Sequence, residues 1–144
     1  MRSARGRLRW TLRSVLVLTV GFFALIVPTA AWADVVAQNS GVRGRANWTW
    51  NSNGTALENI TFGVRDLACD SNDVYVELKI RRSDGYEFYT ARRYDSAGCG
   101  TAANYSGLRY QSNFYIVRVL VHACVDDAFS NTCTSSEWHY NPYY

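Results

Sequence analysis

The chain has 144 residues, 48% of them hydrophobic and 19% charged, with four cysteines and two prolines. That length and composition fit one globular domain and exclude disordered, collagen-like and repeat-built architectures. The formal charge of +3 rests on Arg2, Arg5, Arg7, Arg9 and Arg13, because residues 34–144 hold ten basic against twelve acidic side chains, a charge of −2. This excludes the Lys/Arg-rich surface that binding to nucleic-acid phosphates requires.

Residues 1–33 read as a secretory signal peptide. The five arginines form its basic region, Val15 to Val27 its apolar region, Pro28 ends the run, and Ala31-Trp32-Ala33 supplies a small-residue cleavage site ahead of Asp34. The apolar run falls short of the roughly 20 residues that span a bilayer. No two arginines are adjacent in the basic region, so general secretion is expected in preference to a twin-arginine route. Residues 34–144 are then a single extracellular domain with no membrane partner after cleavage.

Residues 34–47 show little apolar periodicity and are expected as a loosely held arm. Asn51-Ser52-Asn53-Gly54 predicts a turn, followed by a strand with Ile60, Phe62 and Val64 inward. From Val74 to Ile80 the alternation is strict, with Val74, Val76, Leu78 and Ile80 on one face and Tyr75, Glu77 and Lys79 on the other. Asp84-Gly85 predicts a type I′ hairpin turn, and Tyr86 to Arg93 the returning strand. Another strand is expected near Ala103 to Tyr110. The longest apolar run, Phe114 to Val125, predicts a central strand with Val117, Val119 and Val121 on one face and Arg118 and His122 on the other. Helical periodicity and helix caps are missing. Six or seven strands of this kind predict an all-β fold, an antiparallel β-sandwich or small barrel.

Cys69, Cys99, Cys124 and Cys133 form an even set without zinc-ligand spacing, which in an exported chain predicts two disulfides. Of the three connectivities, the hairpin favours Cys69–Cys99. Pairing Ser83 with Tyr86 leaves these cysteines one residue out of register, so a single bulge brings them opposite each other. The remaining pair, Cys124–Cys133, closes a short polar loop.

Several segments together carry a resemblance: Asp66-Leu67-Ala68-Cys69-Asp70, Val74-Tyr75-Val76, Ser83-Asp84-Gly85, Gly98-Cys99-Gly100, Ala123-Cys124-Val125-Asp126 and Asn141-Pro142-Tyr143. In these the chain resembles small exported β proteins of filamentous Gram-positive bacteria, a set without an assigned activity. The resemblance implies one disulfide-bridged β domain and no catalytic residues.

Candidate chemistry is sparse. His122 precedes Asp126 and Asp127, but no nucleophile with triad spacing accompanies it, which favours a structural histidine. Glu77, Glu87 and Glu137 are scattered acids on strand surfaces rather than a glycosidase pair. Asp66, Asp70 and Asp73 offer oxygen ligands for calcium, yet without the glycine and distal glutamate of an EF-hand loop, so capping of turns is the expected role. No metal, cofactor or enzymatic activity is expected. The aromatic residues give the best clue. Trp48, Trp50 and Tyr75 are expected outward, where flat rings beside Asn, Asp and Arg suit stacking on sugar C–H faces. These observations predict a secreted non-catalytic module binding cell-wall or environmental polysaccharide, or an extracellular protein. The alternative is a small secreted antibacterial toxin or enzyme inhibitor.

Overall fold

Period-two burial governs nearly every element of the described residues, 34–144 of a computed structural model; the expected signal peptide lies outside them. Ten strands form: β1 (Val35–Gln38), β2 (Val42–Trp50), β3 (Ala56–Asp66), β4 (Asp73–Arg82), β5 (Glu87–Tyr89), β6 (Arg93–Asp95), β7 (Ala102–Gln111), β8 (Ile116–Asp126), β9 (Thr132–Ser135) and β10 (His139–Tyr140). The described residues contain no helix. One sheet has the order β1-β2-β3-β7. The other is built on the long pair β4 and β8, with β5 and β6 sharing the outer edge of β4 and β9 and β10 sharing that of β8. Every pairing is antiparallel. The fold is therefore the sandwich and not the closed barrel. It has more strands than expected because the additional edge pieces are two to four residues long, too short to print a period on the sequence.

The core fills the space between the sheets. Val42, Ala46, Trp48, Leu57, Ile60, Phe62 and Val64 meet Val74, Val76, Leu78, Ile80, Ile116, Val119, Val121, Ala123 and Val125. Burying each larger aliphatic side chain contributes about 1.5–3 kcal/mol. The inward sets of β3 and β4 are those that alternation predicts.

Three local expectations are corrected. Residues 34–47 are not a loose arm: β1 and most of β2 occupy them, with Val42, Gly44, Ala46 and Trp48 facing inward. The period is hidden because two inward positions carry little or no side chain. A Cβ on Gly44 would lie 2.7 Å from the Ala123 Cβ and 2.8 Å from Val76 Cγ2, so the opposite sheet demands glycine there. Next, the β4–β5 turn is not type I′. Gly85 alone in it has positive φ, +85°, while Gly85 N–H donates to Arg82 O and Arg82 N–H to Tyr86 O. This is a three-residue loop with glycine in the left-handed region. Finally, Val117 leaves the inward face of β8 to Ile116, because the β4–β8 register slips between Arg81 and Arg82.

Both disulfides form as expected, Cys69–Cys99 and Cys124–Cys133. The bulge expected in this hairpin is not what aligns the cysteines: the three-residue loop already sets β4 and β5 in the register that Cys69 and Cys99 share, and the one-residue shift between the β5 and β6 partners runs the other way. The bridge from Cys69 to Cys99 ties the segment ahead of β4 to the one beyond β6.

Candidate functional site

The three aromatic residues expected to line a sugar-binding surface do not lie together, and two are buried. Trp48 is 6% exposed and belongs to the core, with Trp50 packed edge-on at 6.0 Å between ring centroids. Both point inward because β2 keeps the parity of Val42. Tyr75 does point away from the core, yet it is only 2% exposed. Arg92 covers its ring at 4.2 Å, Tyr94 packs at 5.3 Å, and its hydroxyl accepts a hydrogen bond from Asn131 Nδ2 at 3.0 Å. Alternation assigns a side chain to a face but is silent on what covers that face.

Exposed rings gather instead at one end of the sandwich, where four segments meet: the turn Arg82–Tyr86, residues 112–115, the turn 51–55 and the C-terminal residues 141–144. Tyr86, Phe114, Tyr115 and Tyr144 are 58%, 45%, 51% and 66% exposed. The Arg82 guanidinium lies 5.1 Å from the Tyr86 ring centroid and 4.8 Å from that of Phe114. Its Nε donates to Asp84 Oδ1 at 3.2 Å, with a second, closer contact between Nη2 and Oδ2. That pairing holds the Asp84 carboxyl below the usual carboxylate range. Tyr115 and Tyr144 pack at 6.2 Å.

The backbone beneath these rings is cross-linked by hydrogen bonds. Ser83 N–H donates to Tyr115 O at 2.9 Å, Ile116 N–H to Gly54 O at 2.8 Å, and Ser112 N–H to Thr55 O at 2.9 Å. Asn141, 6% exposed, donates from Nδ2 to Gly54 O at 3.1 Å and Ile116 O at 2.7 Å, and accepts Tyr143 N–H on Oδ1 at 2.9 Å. The turn 51–55 is folded around Asn51 Oδ1, which accepts Thr55 and Ala56 N–H. The result is a set of outward rings on a rigid base, with one Arg–Asp pair among them. The residue pattern places Asn51 to Gly54 and Asp84-Gly85 in turns but points to none of these rings as a binding surface. The signal it carries is an aromatic residue immediately beside a turn, at Tyr86 and Phe114-Tyr115.

The remaining candidates have local partners. His122 Nδ1 lies 2.8 Å from Ser135 Oγ and its Nε2 3.3 Å from Cys124 Sγ. Its pKa is lowered by burial, then by Lys79 and Arg92. Asp126 does not orient it, since Asp126 Oδ2 accepts the Tyr94 hydroxyl at 3.0 Å. Glu87 is surrounded by Lys79, Arg81 and Arg118 at 3.0, 3.1 and 3.5 Å, which lower its pKa. Burial instead raises that of Glu77 against the pull of Arg92. Asp66, Asp70 and Asp73 accept from Ala68 N–H, Asn72 N–H and Ser96 Oγ respectively, and do not gather into one cluster.

Arg43, Arg45 and Arg65 line a cavity of about 250 Å³ on the outer face of the first sheet, toward the end opposite the exposed rings. Arg45 lies across Gly63, where a Cβ would meet its Nε at 2.4 Å, and bonds Asn104 Oδ1 at 3.1 Å. Compared with known proteins, the chain matches no family model, no curated protein and no solved structure.

Proposed function

We propose that the protein is a secreted, non-catalytic module that binds cell-wall or environmental polysaccharide through the aromatic end of its sandwich. The observation that carries this reading is the exposed group Tyr86, Phe114, Tyr115 and Tyr144 on hydrogen-bonded turns. Ring faces stack on the C–H faces of pyranoses, and the Arg82–Asp84 pair supplies a donor and an acceptor for hydroxyls at the edge. A backbone already cross-linked by hydrogen bonds beneath the rings loses little freedom on binding, which favours affinity. Two disulfides, and no helix among the described residues long and apolar enough to cross a membrane, are compatible with a place outside the cell.

The test is retention of the purified oxidised protein on insoluble chitin, cellulose and peptidoglycan, with elution by soluble fragments. Retention on one of them is expected. Tyr86→Ala and Phe114→Ala should each weaken it about tenfold, the worth of one stacked ring. Phe129→Ala, exposed in the loop beyond the far end of β8, should leave it unchanged. Absence of retention on all three supports overturns the reading and turns attention to a secreted toxin or inhibitor, assayed by growth in co-culture.

A further inference from the structure

The disulfide that pins β9 to β8 is asymmetric. Cys124 is fully buried, whereas Cys133, directly opposite it in register, is exposed. A thiolate arriving from solvent therefore reaches Cys133 Sγ and leaves Cys124 as the departing sulfur. A buried thiolate is costly unless something donates to it. His122 Nε2 is 3.3 Å from Cys124 Sγ, while its Nδ1 is held 2.8 Å from the hydroxyl of Ser135, its register partner on β9. Tyr89 packs against the ring at 5.0 Å. The imidazole is thus fixed at its far nitrogen and aims the near one at the buried sulfur. Lys79 and Arg92 add positive charge around the ring, and Glu77 is the acid paired across from it.

We propose that Cys124–Cys133 is an exchange-competent disulfide, with Cys133 the sulfur that a small thiol attacks and His122 the residue that stabilises the departing Cys124 thiolate. The attacking thiol gives its proton to solvent. Its sulfur bonds to Cys133 Sγ as the Cys124–Cys133 bond breaks, and the bonding pair stays on Cys124 Sγ. That thiolate accepts a hydrogen bond from His122 Nε2–H, in the tautomer whose Nδ1 accepts a hydrogen bond from the Ser135 hydroxyl. A second thiolate then attacks the mixed disulfide and releases the small disulfide. Two electrons have passed from two thiols to the protein, and both cysteines are reduced. Cys69–Cys99 has no such assistance: both its cysteines are exposed, and the chain's two histidines lie at Cys124 and, for His139, opposite Val119.

The experiment incubates the oxidised protein with glutathione, quenches with iodoacetamide and locates adducts by peptide mass spectrometry. Glutathione is expected on Cys133 and not on Cys124. His122→Gln should slow that adduct about tenfold, the worth of one charge-assisted hydrogen bond. Ser135→Ala should slow it less, and Cys69–Cys99 should react at an unchanged rate in both variants. An adduct on Cys124, no adduct on Cys133, or a wild-type rate in His122→Gln overturns the proposal. A parallel change at Cys69–Cys99 also overturns it, because it would mark loosening of the whole fold. Should His122→Gln not fold, Ser135→Ala carries the test, and a wild-type rate there has the same force.

Discussion

Gly44 is the position where one missing atom decides the packing of two sheets. The Cβ of an alanine there would press on Ala123 and Val76 of the opposite sheet, neither of which has a flexible end that can move aside. Gly44→Ala should therefore cost about 1–3 kcal/mol, read as a lower urea midpoint at an unchanged slope. Asn141 has the opposite character, a buried side chain whose amide satisfies two backbone carbonyls and orders the C-terminus. Asn141→Ala should cost about 2 kcal/mol and also weaken retention on glycan, since Tyr143 and Tyr144 lose their anchor. A variant that loses stability but keeps full retention would separate Asn141 from the proposed surface.

At the scale of elements, the outer face of the β4–β8 pair carries charge that burial penalises. Glu77 is 5% exposed and its pKa is raised above the ordinary 4.5, first by desolvation, with Arg92 opposing. A carboxyl with a raised folded pKa binds its proton more tightly in the native state than in the unfolded chain. Its ionised form thus opposes folding above that pKa, and the penalty fades as pH falls through it. Glu77→Gln should raise the melting temperature at pH 7 by a few degrees, with the gain shrinking toward pH 4. His122, on the partner strand, has the other sign. Its folded pKa lies below 6.5, so the unfolded state takes up protons first and stability falls as pH drops below about 6.5. Melting curves between pH 7 and pH 5 should slope less steeply in His122→Gln than in the wild type.

For the whole molecule, the two disulfides constrain unequal loops, with sequence separations of 30 and 9 residues. Chain-entropy arithmetic assigns about 3.5 kcal/mol to the longer and about 2.5 kcal/mol to the shorter. Replacing Cys69 and Cys99 together by alanine should lower the unfolding free energy more than replacing Cys124 and Cys133, as measured by chemical denaturation. The opposite order would mean that anchoring β9 to β8 in the native state outweighs restriction of the unfolded chain.

Residue order alone conveyed the all-β class, the inward faces of β3 and β4, and both disulfides. Each of these depends on local period or on pairing through a short hairpin, information that neighbouring residues carry. It misread β1 and most of β2 as a loose arm, because their inward glycine and alanine reflect how closely the second sheet approaches. It also mistook Tyr75 for an exposed ring, because what covers that ring is Arg92, Tyr94 and Asn131, one of them 56 residues away along the chain. The aromatic end was equally invisible, since Tyr86, Phe114 and Tyr144 become neighbours only when turns from distant parts of the chain are hydrogen-bonded together. Local patterning decides which face a side chain takes. Only the packing of one sheet on the other, and of its loops on each other, decides what that face meets.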